Sequence, residues 1–134
     1  MKKATTLRKK KASESLPLVN PNAAGIDTQD TFHAVAVPED RDEVQVRIFG
    51  AMTCDLVSIA EWLKKCGIDT VAMESTGVYW KPLFGVLIKE GFDVYLVNSK
   101  TVRNVTGRKN DEDDAMWIQK LHSPGLLKSS YLPD

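Results

Sequence analysis

Cysteine is scarce in this 134-residue chain: Cys54 and Cys66 form no CxxC pair and have no metal-ligand spacing to a histidine. A disulfide framework is therefore excluded, and a reducing compartment is the simplest setting. Long apolar runs are also missing, and none approaches the roughly 20 residues of a membrane helix. The basic amino terminus runs into Ala12-Ser13-Glu14 rather than an apolar segment, which excludes a secretory signal. No GxxxxGK[ST] or GxGxxG is present, so nucleotide phosphates have no glycine-rich cradle. Net charge is zero, with 18 Lys/Arg against 18 Asp/Glu. The length suits one globular domain with a real core.

That zero conceals an asymmetry. Residues 1 to 13 carry Lys2, Lys3, Arg8, Lys9, Lys10 and Lys11 and no acid, whereas all 18 acids lie from Glu14 onward. Such an arm is either a nucleic-acid contact or a solubilising end. Residues 1 to 22 are polar, with Pro17 and Pro21, and are expected to form a disordered or loosely attached lead-in.

Three short β-rich runs follow, at Ala23 to Thr28, Thr31 to Val37 and Glu43 to Phe49, separated by turn residues. They predict an antiparallel meander. Helical spacing begins at Thr53, a candidate N-cap, with Leu56, Ile59, Ala60, Leu63 and Cys66 on one face and Gly67 as a left-handed stop. Thr70 to Glu74 and Asp93 to Asn98 read as buried strands flanking a helix from Val78 to Glu90, a pattern that demands parallel pairing. Pro82 falls in that helix's first turn, and Trp80, Phe84 and Ile88 predict burial on more than one side. A basic loop, Ser99 to Asn110, precedes a last helix from Asp111 to His122. The order β-β-β-α-β-α-β-α is that of an RNase H-like α/β fold, a mixed sheet with helices on its faces.

Four acids sit where a purely structural account is uncomfortable. Asp27 ends the first strand and Glu74 the fourth, and the carboxyl ends of strands are where open α/β sheets bind ligands. Each has a bland alternative: Asp27 could open an Asx-type turn, and Glu74 could help the next helix start. On the last helix, Asp111 and Asp114 share one face with Ala115, Ile118 and Leu121, while Glu112 and Asp113 fall off it. Two carboxylates about 5 Å apart at an effective dielectric of 20 repel by roughly 3 kcal/mol, so such a pair calls for a cation or a shared proton. Asp27, Glu74, Asp111 and Asp114 together suggest an all-oxygen site for Mg²⁺ or Mn²⁺. Two ions roughly 3.5 to 4 Å apart would suit phosphoryl transfer on nucleic acid. His33 alternates with apolar residues and reads as a packed or edge residue rather than a catalytic base.

Gly25-Ile26-Asp27, Met73-Glu74-Ser75-Thr76-Gly77-Val78-Tyr79-Trp80-Lys81-Pro82-Leu83, Val97-Asn98-Ser99-Lys100 and Gly107-Arg108-Lys109-Asn110-Asp111-Glu112-Asp113-Asp114-Ala115 carry a family resemblance. Over residues 24 to 133 the chain resembles the amino-terminal domain of the DEDD transposases of the insertion-sequence family "one-ten". The resemblance implies a RuvC-like nuclease fold whose Mg²⁺-binding tetrad is Asp27, Glu74, Asp111 and Asp114. It further implies DNA as substrate, in some members a structured guide RNA, a homo-oligomeric assembly, and a bacterial or archaeal cytoplasm with nucleoid association. A second, serine-bearing domain completes strand exchange in the family. The chain stops at Asp134, so that domain is expected to be missing, and Asn110 replaces a common threonine.

Lys100, Arg103, Arg108 and Lys109 cluster in the acid-free loop that delivers Asp111, where they would hold phosphate oxygens. An ordinary solvated loop is the alternative. Tyr79 and Lys81, after the Glu74 turn, are further nucleic-acid contact candidates, whereas Trp80 is expected in the core. Two functions follow: the catalytic domain of a DNA transposase, cleaving and exchanging strands with metal, or a truncated, non-catalytic relative that binds RNA, DNA or a full-length transposase.

Overall fold

The computed structural model describes residues 19–75, 77–98 and 111–127, and for residues 111–113 the backbone alone. Its elements are β1 (Ala23–Thr28), β2 (Phe32–Ala36), β3 (Val46–Gly50), α1 (Thr53–Lys65), β4 (Thr70–Glu74), α2 (Trp80–Lys89), β5 (Asp93–Val97) and α3 (Asp111–His122). The strands lie in the order β3-β2-β1-β4-β5. β1 pairs antiparallel with β2, and β2 with β3, while β1 with β4 and β4 with β5 are parallel. The predicted meander and crossovers thus become one mixed sheet.

Strand alternation sorts the sheet into two faces. Ala24, Ile26, Val35, Val71, Met73, Val94 and Leu96 point to one side, where they meet Leu56, Ile59 and Leu63 of α1 and Leu83 and Leu87 of α2. The opposite face carries Ala34, Ala36 and Ala72, which pack against Ala115, Ile118 and Leu121 of α3. Small residues there let α3 sit low on the sheet. Gly25 is the extreme case, because a Cβ at that position would stand 2.5 Å from the Ala115 carbonyl oxygen and clash with the Gln119 backbone. Only glycine fits beneath this helix.

α1 ends as expected, with Gly67 at φ 75°, its N–H on the Lys64 carbonyl and that of Ile68 on Leu63. Its start differs. Met52, not Thr53, is the N-cap, and the Asp55 carboxylate closes the turn by accepting the Met52 N–H at 3.0 Å. β3 begins at Val46 rather than Glu43 because Asp42 accepts from the Val44 N–H and, at 2.7 Å, from the Trp62 indole. Those bonds turn the chain instead of extending it.

α2 starts at Trp80, two residues later than its periodicity suggests, since the Trp80 indole and the Lys81 N–H bond back to Gly77 and Val78. Trp80 and Phe84 pack edge to face, 5.6 Å apart, against the main core. Burial on more than one side is not realised, because Ile88 is 45% exposed. Residues 1–18 of the lead-in lie outside the described residues. Its last three are held on the body: Asn20 bonds to His122 and Ser123 carbonyls, and Arg41 grips the Pro21 carbonyl and Asn22 side chain.

Candidate functional site

The register brings two of the four acids together. Ile26 stands beside Met73 in the last parallel pair of β1 and β4, so Asp27 and Glu74 are the next residue of each strand. By alternation both share the face of Gly25 and Ala72, beneath α3. Asp27 is also paired with Ala34, inside the ladder. It therefore opens no turn, and the Asx alternative falls. Glu74 lies six positions before α2, whose first turn contains no acid, so it does not serve as a helix-start charge either.

α3 runs against β1. Ala115 lies over Gly25, and the Gln119 side-chain amide donates to the Ala23 carbonyl at 3.2 Å, near the strand's start. The helix's amino end is thereby directed to the carboxyl ends of β1 and β4. Asp114 belongs to that end and to the buried stripe. Asp27, Glu74 and Asp114 are 0%, 1% and 6% exposed. Burying a carboxylate costs several kcal/mol unless something compensates, so each of the three needs a partner for its charge. The side chain of Asp111 lies outside the described residues.

Around Asp27 the polar contacts are specific. The Gln29 side-chain amide donates to both its oxygens, at 3.2 and 3.3 Å. The Thr28 hydroxyl bridges the strands by donating to the Glu74 carbonyl at 3.1 Å. His33 is packed, as its setting in the sequence suggests. Burial holds its pKa below the ordinary value against an opposing pull from Asp55, which leaves Nδ1 to accept the Gln29 backbone N–H at 3.3 Å. Gln29 and Thr28 were not singled out by sequence reasoning. The available signal was Gln29's place two residues beyond Asp27, just past the strand end, where continued alternation would bring its side chain round to the Asp27 side.

Among the described residues no group of three His, Cys, Asp or Glu side chains is gathered closely enough to hold an ion. The donor chemistry nonetheless fits a hard cation: the set is carboxylate oxygen with no imidazole or thiolate. Tyr79 and Lys81 lie at the start of α2, Tyr79 46% exposed and Lys81 exposed with its ammonium 5.9 Å from the Trp80 ring. Lys100, Arg103, Arg108 and Lys109 lie outside the described residues.

A mixed five-stranded sheet with helices on both faces and acids at the strand ends defines an RNase H-like α/β domain of the RuvC type. The solved "Thermus thermophilus RuvC structure" superposes with a TM-score of 0.53 at 15% identity, covering 80% of this chain and 98% of that one. The model of the IS110-type DEDD transposases, described as "Transposase", matches residues 24–134. The chain belongs to that transposase family. No curated protein matches it.

Proposed function

We propose that this domain is the metal-dependent part of a DNA transposase, cleaving and exchanging DNA strands during transposition. One observation carries the reading: two buried carboxylates, Asp27 and Glu74, end adjacent parallel strands on the face that receives the amino end of α3. Asp27, Glu74, Asp111 and Asp114 would hold Mg²⁺ or Mn²⁺, in a pair of sites. Bound there, such ions supply Lewis-acid stabilisation of a phosphodiester and a lowered pKa for an attacking hydroxyl or water.

The chain's own residues do the rest. In this reading Asp27 and Glu74 come from the sheet and Asp114 from α3, so the acids belong to three separate elements. Lys100, Arg103, Arg108 and Lys109 seat phosphate oxygens, Tyr79 offers a ring to a base and Lys81 a charge to the backbone. A structured RNA, a serine-bearing domain and a second copy of the chain are the partners of the complete assembly. The cytoplasm is its setting.

Thermal melts of the full chain with Mg²⁺ or Mn²⁺ test this. Stabilisation of about 2.7 kcal/mol is expected at a hundredfold excess over Kd, and Asp114→Asn should abolish it. No stabilisation in the parent chain would sink the metal reading. DNA cut only after a separately expressed serine domain is added supports an incomplete enzyme, whereas binding with no cutting in either case supports the regulatory relative. Removing residues 1–13 should flatten the salt dependence of DNA or RNA binding.

A further inference from the structure

Gln29 makes a contact that a turn residue has no structural need for. Its side-chain amide lies 3.2 and 3.3 Å from the two oxygens of Asp27, and so addresses both at once. The carboxylate torsion of an aspartate is broad and roughly two-fold. A donor reaching both oxygens selects one orientation of the plane. Asp27 is fully buried, while Gln29 is only partly so.

The donor is itself anchored. The Gln29 backbone N–H is shared between the Phe32 carbonyl at 3.0 Å and His33 Nδ1 at 3.3 Å. Thr28, between the two residues, ties the strand end to Glu74. The β1–β2 turn is therefore fixed from three directions, and its one long polar side chain points back along the strand to the acid two residues away.

We propose that Gln29 is the positioning residue of Asp27, holding its carboxylate plane in the orientation that accepts a divalent ion. The inference rests on the metal reading above. Outer contacts of this kind typically contribute 10- to 100-fold in metal affinity. The amide acts through Asp27 and need not touch substrate. Its reach is specific: asparagine, one methylene shorter, would fall short of the oxygens.

The test is a Mn²⁺ titration of the full chain, read by the loss of the free-ion electron paramagnetic resonance signal, in parent, Gln29→Met and Gln29→Asn. Methionine keeps the length and removes the donors. Both variants should bind about tenfold or more weakly while keeping the parent's urea midpoint, a split that a merely structural role would not give. Equal or tighter Mn²⁺ binding by Gln29→Met overturns the role of Gln29 alone. A parent chain that takes up no Mn²⁺ overturns the metal reading, and this role with it. An independent readout needs no ion: the side-chain amide resonance of Gln29 should shift on Asp27→Asn, and an unmoved resonance refutes the contact.

Discussion

The two ends of α3 bury polar groups against the same sheet by opposite means. At its carboxyl end, His122 is 0% exposed, with Nε2 2.9 Å from the Thr70 hydroxyl. That hydroxyl donates to the Asp93 carbonyl, so the ring supplies the proton of the shared contact. Gln119 adds bonds to the Ala23 carbonyl and to Ser123, and the Tyr95 ring lies 4.6 Å from the imidazole. The donors there meet acceptors, while His122 Nδ1 is buried without a hydrogen bond. At the amino end, three carboxylates, Asp27, Glu74 and Asp114, are buried on separate elements. One end holds the helix down with neutral hydrogen bonds; the other places acids on the face of the sheet that α3 covers.

Gly25 lies beneath both regimes, and its replacement should break them together. Gly25→Ala would force α3 away from backbone atoms that cannot yield, at roughly 3 kcal/mol. Urea denaturation should show that loss, and Mn²⁺ stabilisation should vanish with it. A variant of parental stability would mean that the helix does not sit as described.

The carboxyl end carries a pH signature of comparable size. Burial lowers the His122 pKa from 6.5 to about 4. The unfolded chain therefore takes up the proton first as pH falls. Stability should be full above about 6.5, decline between 6.5 and 4 by up to about 3 kcal/mol, and level off below. His122→Leu should flatten that decline in urea midpoints taken at pH 7 and 5. An unchanged slope would assign the pH dependence to other groups.

Glu74→Gln sharpens the contrast. It should remove the Mn²⁺-induced gain, about 2.7 kcal/mol at a hundredfold excess, with little change in the ion-free melt. Gln119→Leu should do the reverse, costing about 1 to 2 kcal/mol through two lost bonds while leaving the ion response intact. Should both variants lose the response equally, the two ends would not be independent.

Much of this was legible in the sequence because it depends on local pattern. β1, β4 and α3 fall on their predicted residues, and Asp27 and Glu74 at strand ends follow from alternation and turn residues alone. What escaped depends on distant partners. The late start of β3 reflects Asp42 caught by Trp62, twenty residues on. His122 reads as the end of an amphipathic helix until Thr70, 52 residues earlier, lies beside it. Gln29 matters only once the carboxylate it faces is seen to be buried, and no periodicity reveals that.

Among the described residues α3 is the last element, yet it lies over β1, the first. The Gln119 to Ala23 bond joins residues 96 apart. Contacts of such separation form slowly, because a long loop must close before they add stability. During synthesis the sheet must therefore wait, with one face bare, until Asp114 has left the ribosome. A nascent chain can hold Asp27 and Glu74 side by side, but Asp114 of the proposed set comes only with α3. Activity of the proposed kind is thus withheld by connectivity until the domain has been fully made.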